Sequence, residues 1–346
     1  MEMMETALNP TERELKRLFL SHPSLDLQSP HPMGHFLDIL PAYTAVIEDR
    51  EGAFPTNRLL TESPFLQGSD IAINQHMRYM PPFLHGHTFF ETIFVAHGAC
   101  VNHISGNRLE MQAGNICIIA PYTDHALGAF SDDAIIYNLV MRPITFHRGF
   151  LDIMPKGSIL YSFFENILNS KGKDSFVLFR SPEDAQLRTV FTEMVRVYDA
   201  RSSYYNSLIS LLSGLFFVQL LSKYERDIVL SEALDRHQQD IGIVQIFRYI
   251  TEHLQSVTLT ELSGHFGYSE RQMARILNTY TGKNFVELVR LERLTKAAEL
   301  LKNPEIAVHD AAEMVGYPNY KYFHRLFCEQ YQKTPVQFRK AILSVE

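Results

Sequence analysis

Two stretches near the carboxyl end of this chain repeat one pattern fifty positions apart, and that repetition constrains the fold more than any other feature. Gly267-Tyr268-Ser269 opens a stretch in which Arg271 and Arg275 flank Met273 and Leu277. Gly316-Tyr317-Pro318-Asn319 opens another in which Lys321 and Arg325 flank Phe323 and Phe327. At helical periodicity, the apolar pair of each stretch falls on one face and the cations on another. A small turn followed by a capped helix with one apolar and one cationic side is the form of a helix-turn-helix DNA reader. Solubility explains outward Arg and Lys on many helices, but not caps, stops and core positions matched in two copies.

The flanking residues extend the pattern. Ile243, Ile246, Phe247, Ile250 and Leu254 fit a first amphipathic helix. Thr258-Leu-Thr-Glu261 is a capping box, with Val257 and Leu262 placed as a hydrophobic staple. Ser269, with Gln272 three residues on, caps the next helix, whose Arg271, Arg275 and Asn278 form a line of donors suited to a major groove. Phe285 to Leu301 reads as a connecting helix, after which Asn319 caps a second reader with Lys321, His324 and Arg325 facing outward. With a rigid connector, the two reading helices would enter successive major grooves about 34 Å apart.

Charge agrees with this division only when it is split along the chain. The net charge of -7 disfavours a polyanion partner for the whole, but residues 241–346 hold 13 Lys/Arg against 11 Asp/Glu, while residues 1–240 hold 19 against 28. Only the C-terminal part suits phosphate, and its small excess makes the placement of cations matter more than their number. At 346 residues and 46% hydrophobic content the chain can build two cores. Cys100, Cys117 and Cys328 are too few and scattered for a disulfide framework and form no C-x-x-C pair, which fits a reducing compartment. The first ten residues lack the basic flank and apolar core of a secretory leader, and Leu208 to Leu221 is polar-interrupted and shorter than a membrane span, so a cytoplasmic protein without membrane association is expected.

Further upstream the periodicities change. Thr11-Glu-Arg-Glu14 matches a capping box before Leu15, Leu18 and Phe19, predicting one short helix within an extension over 1–51. From 52 to 146, short β-branched and aromatic runs alternate with turn residues, predicting an antiparallel barrel or sandwich. Residues 147–225 return to helical spacing, with stripes at Leu187, Val190, Phe191, Met194 and Tyr198 and at Leu208, Leu211, Leu212, Leu215 and Phe216. Either stripe could pack on the barrel or face a second copy of the chain. The polar stretch from Glu225 predicts a linker over 226–240.

Residues 241–342 resemble the DNA-binding domain of AraC/XylS-type transcription regulators. The resemblance rests on Leu259 through Gly267-Tyr268-Ser269, Met273-Ala-Arg-Ile-Leu277, Gly282-Lys-Asn-Phe285, Leu291-Glu-Arg-Leu294, Val308 to Gly316-Tyr317, Tyr322-Phe-His-Arg-Leu-Phe327 and Lys333-Thr-Pro335. It implies promoter binding through two units, about 258–281 and 307–331, usually in an activator that works with RNA polymerase. It also implies an N-terminal domain that senses an effector or mediates homodimerisation. By position it assigns base reading to Arg271, Ala274 and Arg275, and Tyr320, Lys321 and Arg325 lie in the matching stretch of the second helix; Gln272, Asn278, Asn319 and His324 on the same two units join them as expected DNA-binding residues. Three residues depart from the pattern: Gln332 stands where Gly is usual, Cys328 where Lys is usual, and Ala307 where a Ser/Thr cap is usual. They predict a strained stop and a weaker second unit.

His85-Gly-His87-Thr-Phe-Phe-Glu91, followed by Gly98, resembles the first cupin metal motif, with His125 as a fourth donor. That donor set defines the rival reading, a metal-dependent cupin enzyme fused to a DNA-binding module. The second motif is degraded, because Thr123 occupies a Gly position, His125 comes one residue early and no Asn follows. The segment also resembles the sensor barrels joined to AraC-type readers, where such residues brace an effector pocket without metal. The expectation is therefore a regulator and not an enzyme, of mixed α+β class: a cupin-like antiparallel barrel with a helical dimerisation pair, then an all-α double helix-turn-helix domain. Its effector site would use His85, His87, Glu91, His125, Arg78 and Tyr137, with no metal or cofactor, and a sugar or small organic acid as ligand.

Overall fold

The computed structural model describes residues 7–23, 25–32, 41–51, 57–66, 69–104, 106–154, 159–168, 176–224, 228–230 and 243–343. It divides into two compact units, Met1–Ile153 with Leu168–Gln238, and Met154–Ile167 with Gln239–Glu346. In chain order the principal helices are α1 (Pro10–Ser21), α2 (Pro41–Glu51), α3 (Ile159–Leu168), α4 (Ala185–Ala200), α5 (Tyr205–Tyr224), α6 (Ile243–Glu252), α7 (Leu259–His265), α8 (Glu270–Thr281), α9 (Phe285–Leu300), α10 (Val308–Met314), α11 (Tyr320–Tyr331) and α12 (Pro335–Leu343).

Two antiparallel sheets enclose the core of the first unit. In chain order the strands are β1 (His31–Pro32), β2 (Leu59–Leu60), β3 (Ile71–Gln75), β4 (Phe83–Leu84), β5 (Gly86–His87), β6 (Phe90–His97), β7 (Ala99–Ile104), β8 (Asn107–Gln112), β9 (Ile116–Ile119), β10 (His125–Gly128), β11 (Ile135–Met141), β12 (Phe176–Phe179) and β13 (Ile228–Leu230). One sheet runs β13-β12-β9-β6-β11-β3 and the other β10-β7-β8, with short parallel pairs β1-β4 and β2-β5 beside them. Alternation along each strand sorts the side chains. Ile93 and Val95 point inward with Cys117, Leu178, Leu109 and Leu127 into one apolar core. Phe90 and Phe94 point the other way, Phe90 stacking on Phe146 at 4.0 Å and Phe94 meeting Phe191 and Phe216 at 4.8 and 6.0 Å. The six-stranded sheet is thus covered on its outer face by α4 and α5.

Asp184 fixes how those two helices meet. Its carboxylate accepts from the backbone N–H groups of Gln186 and Leu187 at the start of α4, and from Lys223 Nζ and the Tyr224 hydroxyl at the end of α5 at 2.8 and 2.7 Å. Among the described residues, α5 is the one helix long and apolar enough by length and composition to cross a membrane, and its Ile209, Ser213, Phe216, Phe217 and Leu220 face is packed inside this unit. Its other side leaves Leu208, Leu211, Leu215 and Val218 exposed, in line with Tyr204 just before the helix, at intervals of four, three, four and three residues from Tyr204.

Several details differ from the sequence expectation. Helix α1 is capped by Asn9, not Thr11; Asn9 and Glu12 form the reciprocal box, with Pro10 at the first helical position. Residues 147–225 are not continuously helical: β12 pairs with β9 and extends the sheet, and the Met154–Ile167 stretch groups with the C-terminal unit. Within the expected linker, Ile228–Leu230 pair with β12; residues 231–240 lie outside the described residues.

In the second unit the two copies match to the residue. Helices α8 and α11 begin and end fifty positions apart, each preceded by a short helix, α7 or α10. Thr258 and Ser269 form full capping boxes with Glu261 and Gln272, and Asn319 accepts from Tyr322 N–H at 3.1 Å. Ala307 begins α10 without a side-chain cap. Gly282 ends α8 in the left-handed region, and Gln332 ends α11 in that same region with φ of 53°. The strained stop expected from the sequence is therefore present. Gly316 is required by space as well as by its φ of 91°, since a Cβ there would sit 2.5 Å from the Gln255 carbonyl oxygen.

Candidate DNA interface and sensor site

The outward sides of α8 and α11 carry the residues expected there. On α8, Met273, Leu277 and Thr281 are buried, while Arg271, Gln272, Arg275 and Asn278 are exposed and Ala274 lies half-buried between them. Arg271, Gln272 and Arg275 line one open concavity. Burying the 273/277 pair orients the helix, and the i, i+4 spacing then leaves Arg271 and Arg275 adjacent on the solvent side. On α11, Phe323, Leu326 and Phe327 are buried, Lys321 and Arg325 exposed, and Tyr320 and His324 half-buried. Arg325 lies 3.8 Å from Glu329 and 5.2 Å from the Tyr322 ring centroid. Both contacts are exposed and weak enough to be exchanged for DNA. Asn319 is exposed but spends its side-chain oxygen on the cap.

Helix α9 joins the two halves physically. Arg293 donates from Nε to the Leu254 carbonyl at 2.9 Å, from Nη2 to Gln255 at 3.1 Å and from Nη1 to Gly316 at 3.4 Å, with its guanidinium 5.5 Å from the Tyr317 ring centroid. One side chain therefore holds the end of the first helical segment against the turn of the second reader. Burial pushes its pKa down from the ordinary arginine value. Its spacing gave no hint of this role, because all its partners are distant in sequence.

In the barrel, His85, His87, Glu91 and His125 come together. His85 and His125 face each other across an antiparallel bridge, exchanging backbone hydrogen bonds of 3.0 and 2.8 Å. Their rings are 4.4 Å apart, and the His87 ring is 5.2 Å from that of His125. Nε2 of His125 and Nε2 of His87 lie 2.9 and 3.3 Å from the same Glu91 oxygen, Oε2. His87, Glu91 and His125 are 0%, 5% and 1% exposed. Burial alone would raise the pKa of Glu91, but the imidazoles of His125 and His87 outweigh it and hold the carboxyl well below its ordinary range. Burial, with His125 adjacent, pushes His85 down to about 3. One ring nitrogen each of His85 and His125 and a Glu91 oxygen lie within 4.8 Å of one another, so these groups could hold a cation as well as a polar ligand.

With this geometry in hand, comparison with known proteins is decisive for the C-terminal unit. A helix-turn-helix domain family matches residues 262–341, spanning both readers. The chain is 24% identical over 293 residues to the HTH-type transcriptional activator RhaR of Pectobacterium atrosepticum, covering 84% of this chain and 97% of that protein. Residues 262–341 form a helix-turn-helix domain, and most of the chain is similar to transcriptional activators of the AraC/XylS type. The HTH-type regulator YfiF of Bacillus subtilis is 31% identical over 104 residues, covering 30% of this chain and 33% of that protein. The xylose operon regulatory protein of Escherichia coli K12 is 25% identical over 105 residues, covering 30% and 27%. The last two matches each span about a third or less of the relative.

Two residues expected beside these histidines are elsewhere. Arg78 is 1% exposed and committed to Glu12, donating from Nε at 2.9 Å and from Nη2 at 2.7 Å, with further bonds to the carbonyls of Asp132 and Ala7. It fastens α1 to the barrel. Tyr137 lies on the opposite face of the six-stranded sheet, 5.4 Å from the Phe191 ring of α4. Conversely, sequence reading missed Asn138, Asn102 and His76. Asn138 pairs with Ile93 and so shares the inward face, and its Oδ1 has no hydrogen-bond partner among the described residues. Asn102 is 0% exposed with neither amide atom paired, and His76 Nε2 is likewise unpaired, with burial pushing its pKa down to about 4. Their signal was alternation: each falls on the inward phase of its strand or the residue just beyond it.

Proposed function

We propose that this regulator binds promoter DNA as a homodimer through α8 and α11, and that a small polar molecule entering the barrel changes how it binds. The duplication of the reader carries this: two capped helices fifty positions apart present Arg271 and Arg275, and Lys321 and Arg325, on the sides left over when their apolar faces are buried. Gln272, Ala274, Asn278, Tyr320 and His324 complete the reading surfaces, and Asn319 acts chiefly as a cap. Arg and Lys reach guanine O6 and N7, and Asn and Gln reach adenine, in a major groove. RNA polymerase is the partner expected of an activator, and the cytoplasm its place of action.

The barrel's role is sensing rather than catalysis. His85, His87, Glu91 and His125 form the effector site, and the buried Asn102 amide and Asn138 Oδ1, both without partners among the described residues, lie on the inward phase of their strands. Alternating donors and acceptors suit a hydroxyl-rich ligand such as a sugar, and one relative is named for a xylose operon. The exposed stripe that runs from Tyr204 through Leu208, Leu211, Leu215 and Val218 of α5 has the heptad spacing of a helix that pairs with its own copy. An effector must bind one arrangement of the protein more tightly than another to shift its population. The test is binding of the full-length protein to DNA upstream of its own gene, with and without a panel of sugars. Arg275→Ala should weaken the specific site by about 1–3 kcal/mol; equal losses on random duplex would make Arg275 a phosphate contact, and no binding by the intact protein would end the proposal.

A further inference from the structure

We propose that Asn166 of α3 is a positioning residue for DNA reading: its side-chain amide closes the carboxyl end of α8, an inference that rests on the reading of α8 as a base-contacting helix. Residues Met154–Ile167, which include nearly all of α3, belong to the C-terminal unit, although in sequence they lie between β11 and β12 of the six-stranded sheet. The helix-turn-helix match to residues 262–341 does not reach them. The first reader is thus completed by a segment from the middle of the chain.

Comparison of the two readers carries the assignment. The last carbonyls of an α-helix have no partner inside the helix and take one from outside it. In α8 the Asn278 carbonyl accepts from Gly282 N–H at 2.8 Å, and in α11 the Cys328 carbonyl, fifty positions on, accepts from Gln332 N–H at 2.9 Å. One residue further along α11, the Glu329 carbonyl accepts from the Gln332 side-chain amide, Nε2, at 2.9 Å. Gly282 has no side chain with which to repeat this bond. The matching carbonyl, that of Thr279, accepts instead from Nδ2 of Asn166 at 2.9 Å, across 113 positions of sequence. The same chemical group meets the same carbonyl at the same distance in both units, supplied once by the stop residue and once by α3.

The space around Gly282 agrees. A Cβ there would come 3.3 Å from Asn166 Oδ1 and 3.8 Å from its Cγ, so a longer side chain at this position and the Asn166 amide compete for one place. Phe164 of α3 is fully buried; its burial seats the helix, and Asn166 fixes where that helix meets α8. The bond is exposed to water and adds little stability by itself. Its importance lies in its location, since Thr279 is four residues after Arg275 and next to Asn278. Fraying of this last turn would disorder the end of the reading face.

The test follows hydrogen exchange and a hydroxyl-radical footprint in the full-length protein and its variants. Asn166→Ala removes the amide from a half-buried position without opposing the helix. It should speed exchange of the amides at the end of α8 about 3- to 10-fold. It should also fade the protections that Arg275→Ala fades, leaving those that Arg325→Ala fades. In a Gly282→Gln background the carbonyl receives its amide locally, as in α11, so the same Asn166→Ala change should no longer alter exchange at the end of α8. Unchanged exchange or an unchanged footprint in Asn166→Ala, fading of both sets of protections, or an equal effect on exchange in the two backgrounds overturns the proposal. An Arg275→Ala variant that leaves the footprint intact sinks the reading of α8 itself, and the exchange measurements then still decide whether Asn166 closes that helix.

Discussion

Replacing Arg293 by Met should loosen the second reader while leaving its sequence untouched. Met keeps an unbranched stem for packing beside Tyr317 but removes the guanidinium that bonds to Leu254, Gln255 and Gly316. The bonds at 2.9 and 3.1 Å have good length, and each is worth about 1–1.5 kcal/mol after allowing for partial exposure; the 3.4 Å bond adds little. The contact with Tyr317 contributes about 0.5 kcal/mol, for a total of roughly 2.5–3.5 kcal/mol. Hydrogen exchange by mass spectrometry on the intact chain reads this directly, because each 1.4 kcal/mol is tenfold in local opening. Amides of α10 and α11 should lose protection about 60- to 300-fold, and affinity should fall more for a duplex with both half-sites than for one with a single half-site. A change under about threefold, or equal affinity losses on the two duplexes, would refute the view that Arg293 sets the readers against each other.

Other expectations are simpler. Gln332→Gly should stabilise the second unit by about 0.5–1 kcal/mol, because glycine takes the left-handed conformation without strain but gains freedom when unfolded; an unchanged or lower melting temperature would show that Gln332's side chain compensates. Asp184's carboxyl is held below its ordinary pKa, burial opposing and Lys223 and Tyr224 prevailing, so its contribution is fully present above the unfolded value near 3.9 and is lost as pH falls through that range toward the depressed folded value. The melting-temperature gap between the native protein and Asp184→Asn should accordingly be widest near neutrality and close below about pH 4; a gap independent of pH would contradict this. Leu211 is 72% exposed in the α5 stripe, so Leu211→Glu should shift sedimentation from dimer to monomer with little loss of monomer stability, and an unchanged dimer would place the interface elsewhere.

The reader was legible because its signals are local. Ser269 with Gln272, Thr258 with Glu261, and Gly282 just past a helix act within one turn of chain, and doubling them removed coincidence. Near α1 two boxes competed, Asn9 with Glu12 and Thr11 with Glu14; Pro10, favourable only at a helix start, decides for Asn9. Strands β12 and β13 were missed because runs of three or four apolar residues between helical stripes carry no period of their own. Alternation said which barrel residues share a face, but not which face meets the core, and so Tyr137 was misplaced. Arg78 looked available to a ligand because its partner, Glu12, lies 66 positions away. Motif spacing counts residues and so could not show that His125 lies opposite His85, a pairing set by strand register.

The most direct test of the central claim is a hydroxyl-radical footprint of the intact protein and of Arg275→Ala and Arg325→Ala on DNA upstream of its gene. The account predicts paired protections one helical turn apart, about 34–36 Å, with each substitution fading a different member of the pair. Loss of the same protection in both variants, or of neither, would mean that the two helices do not read successive grooves.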